Sequence, residues 1–180
     1  MHLVATLVRP ALERGDVVIQ TKFTPIGGQN RSQPLPYDPG APFHAQVHQS
    51  AARSLANLRV SAIDSLVLHS PPGNARRDLL AVWRGMEALV AAGVARQIGL
   101  SNLYDEGALR WLLARARVRP RVLQNRFHKS VDWCRGLRAL CAAEGIQFQS
   151  FWTLTGNRNA TRSDAVRALA AAHGTSPEAL

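Results

Sequence analysis

The feature that most constrains the fold of this sequence is a short apolar run followed by an amphipathic helical pattern, repeated about five times along 180 residues. The runs are too continuous for strands with one solvated face, and apolar residues in the stretches between them return every three or four positions. Apolar strands that alternate with helices are typical of a parallel sheet covered by helices. The sequence therefore predicts a single α/β domain over residues 1–180.

The predicted elements follow each other without a break in composition. The strands are expected at residues 16–23, 63–68, 95–100, 121–125 and 146–151. The helices are expected at residues 2–14, 44–58, 77–92, 105–117, 131–144 and 164–173, with another starting near Ser176. Residues 24–43 are rich in Pro, Gly, Gln and Asn and are predicted to form one long loop. A loop of that length in a compact domain is usually functional or disordered.

Two parallel architectures fit this alternation, a doubly wound sheet and a (β/α) barrel. No G-x-G-x-x-G sequence follows the first strand, which counts against a doubly wound dinucleotide-binding fold. A barrel carries its chemistry at the carboxyl ends of its strands. Polar residues cluster at those ends: Lys22, His69, Ser101, Asn102, Gln124, Asn125 and Gln149. The pattern therefore favours a barrel with a functional site at that edge.

Each of these polar residues also has a plain structural explanation. A lysine at a strand end is usually a solvated charge, and a Ser-Asn pair after a strand often caps the next helix. Lys22 is nevertheless one of only two lysines among 22 basic residues. Because every strand delivers a polar side chain at the same end, the joint pattern favours a site over separate surface residues.

The charge balance leaves a second class of function open. The sequence has 22 basic and 12 acidic residues, a formal net charge of +10, which is typical of proteins that bind polyanions. The arginines are spread through every segment, so nucleic-acid binding is kept as the least favoured hypothesis. An anionic small molecule, such as a phosphorylated cofactor, would benefit from the same field.

The remaining composition points to a cytoplasmic protein without a metal. Cys134 and Cys141 are expected on one helix face, too far apart for a disulfide, and are interpreted as thiols of a reducing compartment. No apolar run approaches eighteen residues, and the amino-terminal segment lacks the pattern of a signal peptide. His44 and His48 have helical spacing, but no H-E-x-x-H motif or third ligand accompanies them.

Five stretches in a fixed order resemble the aldo-keto reductases, particularly the fungal oxidoreductases of that superfamily. They read "VVIQTKF", "SLANLRVSAIDSLVLHSPP", "GMEALVAAGVARQIGLSN", "VLQNRF" and "GIQFQSFWTLTGN". The resemblance implies a (β/α)8 barrel that binds NADP(H) and interconverts a small carbonyl compound and an alcohol.

The resemblance assigns catalytic roles to two residues. Lys22 corresponds to the lysine and His69 to the histidine of the family's catalytic group, which also contains an aspartate and a tyrosine. A phenol has an ordinary pKa near 10, and a neighbouring ammonium lowers it, so a lysine beside a tyrosine makes a better acid at neutral pH. A histidine would orient the substrate oxygen.

The resemblance also implies a set of cofactor contacts. Ser101, Asn102 and Gln124 correspond to the residues that hold the nicotinamide carboxamide. Phe151 corresponds to the aromatic residue that stacks on the nicotinamide ring, although its neighbour Trp152 is an alternative. The pyrophosphate is expected along a loop that contains Leu154, Gly156 and Asn157.

The sequence departs from the family at both ends. No Asp-x-x-x-x-Tyr stretch precedes Lys22, and neither Tyr37 nor Tyr104 matches the catalytic tyrosine. The family's last strand and helix, with the basic residues that hold the 2′-phosphate, have no counterpart. We therefore expect a partial barrel of about five of eight β/α units, a fragment with impaired reductase activity. Its exposed sheet edges would favour association. A non-catalytic remnant that binds a nucleotide or a partner is the alternative.

Overall fold

The computed structural model describes residues 17–180, so the helix predicted over residues 2–14 lies outside the described range. Five strands form one parallel sheet in chain order, β1 to β5. The strands are β1 (Gln20–Phe23), β2 (Ile63–Leu68), β3 (Ala95–Ser101), β4 (Val122–Arg126) and β5 (Gln147–Phe151). The helices are α1 (Phe43–Leu58), α2 (Arg76–Ala91), α3 (Glu106–Leu113), α4 (Arg135–Ala143), α5 (Arg158–Thr161) and α6 (Asp164–Ala172). The predicted α/β fold with a parallel sheet is confirmed.

The hydrophobic core lies between one face of the sheet and the helices. Alternate strand residues supply the sheet side of this core: Phe23, Leu66, Leu68, Ile98, Leu100 and Leu123. The helices supply the other side, mainly Val47, Leu79, Val82, Trp83, Met86, Leu109, Leu112, Leu137 and Leu140. Because strand side chains alternate between faces, the residues between these core positions point to the opposite face.

The sheet is strongly curved, as in the wall of a barrel. The side-chain amide of Gln124 on β4 donates a hydrogen bond of 2.5 Å to Gln20 on β1, although β2 and β3 lie between them. In a flat sheet three strand spacings would amount to about 14 Å, too far for two glutamines on one face to meet. The face opposite the core is therefore the concave face, and the five strands form a partial (β/α)8 barrel.

The concave face carries polar side chains, and the backbones of β3 and β4 lie very close together at Gly99. Gln20 donates to Ser65 at 3.0 Å, and Gln124 donates to Gln149 at 2.6 Å. A β-carbon on Gly99 would lie 2.6 Å from the carbonyl oxygen of Val122, so β3 and β4 tolerate no side chain at this point.

Two strand and loop boundaries differ from the prediction. β1 begins at Gln20 rather than at residue 16, because the Asp64 carboxylate accepts the Ile19 amide at 2.8 Å in place of a backbone carbonyl. The loop at residues 24–43 contains a short 3₁₀ turn at Ile26–Gly28 and ends where α1 begins at Phe43. The buried Tyr37 anchors this loop, since its hydroxyl donates to the Thr24 carbonyl at 2.8 Å.

Two predicted helices are shorter than expected, and a third does not form. The helix predicted over residues 105–117 ends at Leu113, because the amides of Arg117 and Val118 donate to Glu87 on α2. The helix predicted over residues 131–144 begins only at Arg135. It is preceded by a left-handed turn at three non-glycine residues with positive φ: Asp132, Trp133 and Cys134. The segment at Ser176 forms a turn rather than a helix.

Within residues 17–180, no helix combines the length and apolarity needed to cross a bilayer. The same residues hold no cluster of three or more His, Cys, Asp or Glu side chains that could bind a metal ion. Cys134 and Cys141 are both buried free thiols. Burial, and secondarily the neighbouring Cys134, raises the pKa of Cys141 to about 11, so this thiol is protonated and unreactive at neutral pH.

Candidate active site

A cleft of about 490 Å³ lies at the carboxyl edge of the sheet, on its concave side. Every strand from β1 to β5 contributes to its lining, either with its last residues or with the residue that follows. The lining consists of Lys22, His69, Ser101, Asn102, Gln124, Arg126, Gln149, Ser150 and Phe151. Parallel strands all end at one edge, which is why polar residues widely spaced in the sequence meet here. Asn125 does not line the cleft, since it points to the opposite face, where it is fully buried.

Lys22 and His69 line the cleft at its first two strands. Lys22 is exposed on β1, whereas His69 is half-buried directly after β2 and donates its backbone amide to the Phe23 carbonyl at 2.8 Å. Burial and, to a lesser degree, the Lys22 charge lower the pKa of His69 below its usual value. The imidazole is therefore neutral at pH 7, and its buried Nδ1 has no partner within residues 17–180. A neutral imidazole is suited to hydrogen bonding with a carbonyl oxygen.

We expect the lowered pKa of His69 to make the fold less stable in mild acid. The unfolded chain takes up a proton near the ordinary pKa of about 6.5, whereas the folded chain does so only at lower pH. The contribution of this neutral imidazole to the free energy of unfolding is thus present above pH 6.5 and lost as the pH falls. Between pH 7.5 and pH 5.5, the free energy of unfolding measured in urea should fall less in His69→Gln than in the wild type.

A second measurement isolates the effect of Lys22 on this histidine. NMR titration should give a higher His69 pKa in Lys22→Met than in the wild type, because the neighbouring positive charge is removed. A wild-type His69 that titrates above its ordinary value would contradict the proposed environment.

Ser101 ends β3, and Asn102 follows it in a turn that side-chain hydrogen bonds hold in place. Asn102 has a left-handed backbone with φ of 53°, a conformation that asparagine tolerates better than most residues. Its side-chain amide donates to the His69 carbonyl at 2.8 Å and to the Ser101 hydroxyl oxygen at 3.3 Å, and its Oδ1 accepts the Tyr104 hydroxyl at 3.2 Å. These bonds occupy Asn102 and leave the hydroxyl proton of the buried Ser101 available to a ligand.

Gln124 presents a free acceptor next to this donor. Its Nε2 donates to Gln20 and Gln149, whereas its Oε1 accepts no hydrogen bond from any residue between 17 and 180. Ser101 and Gln124 are partners in the parallel register of β3 and β4, so the donor and the acceptor lie side by side. A hydroxyl donor next to an amide acceptor is complementary to a primary carboxamide, which has one oxygen and one NH₂ group. The side chains present therefore fit a nicotinamide head group.

The structure separates the roles of Phe151 and Trp152. Phe151 lines the cleft at the end of β5. Trp152 has a left-handed backbone with φ of 61° and is 51% exposed, with its indole ring 4.1 Å from the guanidinium of Arg126. Phe151 is therefore the aromatic residue at the position predicted for ring stacking.

The three residues predicted along the pyrophosphate lie on the loop that follows Trp152 and do not line the cleft. Leu154 is 44% exposed. Gly156 packs so tightly that a β-carbon would lie 2.8 Å from the Trp152 carbonyl oxygen. The side-chain amide of Asn157 donates to the carbonyls of Phe127 and Thr153 at 2.8 and 2.9 Å, which ties the loop to the end of β4. The cleft and this loop are thus adjacent but separate.

No tyrosine within residues 17–180 lines the cleft. The Tyr37 hydroxyl donates to the Thr24 carbonyl, and burial raises the pKa of this phenol. The Tyr104 hydroxyl donates to Asn102 and accepts the backbone amide of Arg126 at 3.1 Å. Both phenols therefore have structural partners outside the lining of the cleft.

Arg126 and Ser150 line the cleft but were not predicted as site residues. Arg126 follows Gln124 by two residues on the same strand, so the period of two in a strand places both side chains on one face. That signal was available from the sequence. The stacking of Trp152 on Arg126 gave no comparable signal, since Trp152 lies beyond the strand in a turn whose left-handed backbone only the structure shows.

A curved parallel sheet with lysine, histidine, a Ser-Asn pair and glutamine at its carboxyl edge defines a barrel-type protein with a nicotinamide-compatible cleft. The chain belongs to the aldo/keto reductase family, whose family model matches residues 2–180.

Curated relatives agree with this assignment. The chain is 31% identical over 157 residues to aldo-keto reductase family 1 member A1 of Bos taurus, covering 73% of this chain and 48% of the relative. It is 27% identical over 156 residues to the aldose reductase of Encephalitozoon cuniculi, covering 75% and 51%. It is 32% identical over 99 residues to the glyoxal reductase of Bacillus subtilis, covering 55% and 34%. The chain thus spans about half the length of most of these relatives, and a third of the last.

Solved structures support the fold. An aldo/keto reductase from Brucella melitensis superposes with a TM-score of 0.74 at 20% identity, covering 97% of this chain and 60% of that one. An aldo-keto reductase enzyme from a deep-sea metagenome library gives the same TM-score and identity, covering 96% and 59%. At this identity the likeness concerns the fold alone.

Proposed function

We propose that this chain forms the nicotinamide-binding part of an oxidoreductase that interconverts a carbonyl and an alcohol with NADP(H). The observation that carries the proposal is the free donor and acceptor pair of Ser101 and Gln124 in the same cleft as Lys22 and His69. Family membership supports the class of chemistry, and the fungal subgroup and the preference for NADP(H) over NAD(H) stay part of the proposal.

The roles of the side chains follow from their positions. The bound cofactor supplies the hydride. Ser101 and Gln124 hold the carboxamide, and Phe151 packs against the ring. The neutral His69 orients the carbonyl oxygen, and the Lys22 charge stabilises the negative charge that develops on that oxygen during reduction.

We propose further that the 180-residue chain turns over slowly on its own. The product oxygen needs a proton, and the phenol expected beside Lys22 is not supplied by residues 17–180. The engagement of both Tyr37 and Tyr104 elsewhere favours the second candidate, a nucleotide-binding module without catalysis. Both the slow reductase and the non-catalytic module are expected to bind the cofactor, but only the reductase turns over a substrate.

Calorimetry on the full 180-residue chain tests the proposal. We expect NADP⁺ to bind and Gln124→Leu to weaken binding about tenfold, which corresponds to about one buried hydrogen bond to the ligand. Gln33→Leu, an exposed loop variant, should bind as the wild type does. Consumption of NADPH with 4-nitrobenzaldehyde should be slow but measurable. Binding without turnover would select the non-catalytic module, and no binding of either NADP⁺ or NAD⁺ would overturn both.

The compartment is part of the same proposal. Cys134 and Cys141 are free thiols in the structure, and burial raises the pKa of both above the ordinary value. Thiols that stay protonated and buried suit a reducing environment. We therefore propose a cytoplasmic setting, where NADPH is also available as a reductant.

A further inference from the structure

We infer that Arg126 makes the cleft selective for a ligand with an anionic oxygen group, and that this group is a carboxylate on the carbonyl substrate. The inference rests on the proposed function, because it names the substrate class of the same cleft. A phosphate of the cofactor presents the same chemistry to a guanidinium, and the experiment below separates the two sources.

Arg126 is a cation in the cleft whose guanidinium has no hydrogen-bond acceptor and no carboxylate partner among residues 17–180. It ends β4, in register with Phe151, and its side chain lines the cleft. Its Nε is buried and donates to no acceptor, and its guanidinium makes no hydrogen bond to any residue in the range 17–180. Only its backbone is hydrogen-bonded within residues 17–180: the amide donates to the Tyr104 hydroxyl, and the carbonyl accepts the Cys134 thiol. Burial of an N–H without an acceptor costs free energy, so an oxygen ligand at this point would stabilise the arrangement.

Arg126 is the one arginine among residues 17–180 that has a buried side-chain N–H without an acceptor. Seven other arginines pair with a carboxylate: Arg77, Arg84, Arg96, Arg110, Arg119, Arg135 and Arg167. None of the ion pairs within residues 17–180 includes Arg126, and no Asp or Glu lines the cleft. With His69 neutral, Lys22 and Arg126 leave the cleft with two positive charges that no lining side chain offsets.

The stacking on Trp152 positions the guanidinium for an anion. The guanidinium carbon lies 4.1 Å from the ring centroid, which occupies one face of the group and leaves the N–H donors at its edge. Trp152 is itself held in place by its left-handed backbone and by the tight turn that ends at Gly156. An oriented guanidinium edge binds a carboxylate or phosphate through two parallel hydrogen bonds, which a lysine does not reproduce.

Arg126 and the Lys22–His69 pair line the same cleft from different strands. Lys22 and His69 lie on β1 and after β2, whereas Arg126 lies at the end of β4, across the same cleft of about 490 Å³. A carbonyl oxygen at the first pair leaves the far end of a small molecule near Arg126. The cleft is thus suited to a compact aldehyde or ketone that bears a carboxylate at the end opposite the reacting carbonyl.

Two aldehydes of similar size and opposite character test the inference. We expect the wild-type chain to bind 4-carboxybenzaldehyde at least tenfold more tightly than the neutral 4-nitrobenzaldehyde, as measured by calorimetry in the presence of NADP⁺. Arg126→Gln should abolish this difference, and Arg126→Lys should restore part of it. Arg121→Gln, an exposed change at the opposite end of β4, should preserve it. Far-UV circular dichroism of each variant checks that the fold is retained.

The affinity for NADP⁺ alone identifies the source of the anionic group. If Arg126→Gln leaves that affinity unchanged and removes the preference for the carboxylated aldehyde, the substrate carries the group. If Arg126→Gln weakens the binding of NADP⁺ tenfold and the wild type binds the two aldehydes equally tightly, the substrate assignment is overturned. The anionic group is then the cofactor's phosphate. If the wild type binds both aldehydes with equal affinity and Arg126→Gln leaves the affinity for NADP⁺ unchanged, the inference is overturned as a whole. All of these experiments measure binding. A failure to reduce either aldehyde would therefore contradict the proposed reductase activity without bearing on the role of Arg126.

Discussion

Trp83→Ala should lower the free energy of unfolding by about 3–5 kcal/mol, the range typical of a buried aromatic residue cut back to alanine. Trp83 is completely buried on α2, between the sheet and the neighbouring helices. Its indole N–H also donates to the Val118 carbonyl at 3.1 Å, which connects α2 to the segment that leads into β4. Small domains are stable by about 5–15 kcal/mol, so this one change would remove a large fraction of the total stability.

Trp83→Phe separates the packing contribution from the hydrogen bond. Phenylalanine retains most of the buried apolar volume but removes the donor to Val118. We expect a loss of about 1–2 kcal/mol, the usual effect of leaving one buried carbonyl without its donor. Urea unfolding followed by circular dichroism measures both variants. A loss below about 1.5 kcal/mol for Trp83→Ala would contradict the position of this side chain in the core.

Asn125→Leu should lower the free energy of unfolding by about 3 kcal/mol, although both side chains have four heavy atoms branched at the γ-carbon. Asn125 is fully buried, donates to the Leu103 carbonyl at 2.7 Å and accepts the Leu103 amide at 3.2 Å. Leucine leaves both backbone groups without partners in a dry environment. The same bonds hold the turn after β3, so we also expect weaker NADP⁺ binding through displacement of Ser101 and Asn102.

A matched control for this change exists on the surface. Asn159 is exposed on α5, and Asn159→Leu should alter the free energy of unfolding by no more than about 0.5 kcal/mol. Urea unfolding should therefore show a lower free energy of unfolding only for Asn125→Leu. Calorimetry should show a weaker affinity for NADP⁺ only for the same variant. If the two variants behave alike, the pair of hydrogen bonds to Leu103 does not stabilise the turn.

The order of strands and helices could be predicted because it depends on local periodicity. Five strand positions and five of the helices follow the predicted pattern within a few residues. The errors arise where a distant residue acts on the backbone. Glu87 ends α3 early by accepting the amides of Arg117 and Val118, which lie 30 and 31 residues away in the sequence. No local pattern in the 105–117 segment indicates that interaction.

The candidate site was partly predictable for a related reason. Parallel strands separated by helices all run in one direction, so polar residues at their ends meet at one edge whatever the details of packing. Lys22, His69, Ser101 and Gln124 were therefore placed together from the sequence, and the structure brings them to one cleft. Their chemical roles stay predictions until the variants described above are measured.

The sequence by itself determined the alternation of strands and helices, the parallel sheet and the edge at which polar residues gather. The tertiary structure alone decided the curvature that joins Gln20 to Gln124, the neutral state of His69 and the stacking of Arg126 on Trp152. Periodicity is a property of a few consecutive residues. Curvature, burial and partnership depend on contacts between residues as many as 104 positions apart, which only the folded chain brings together.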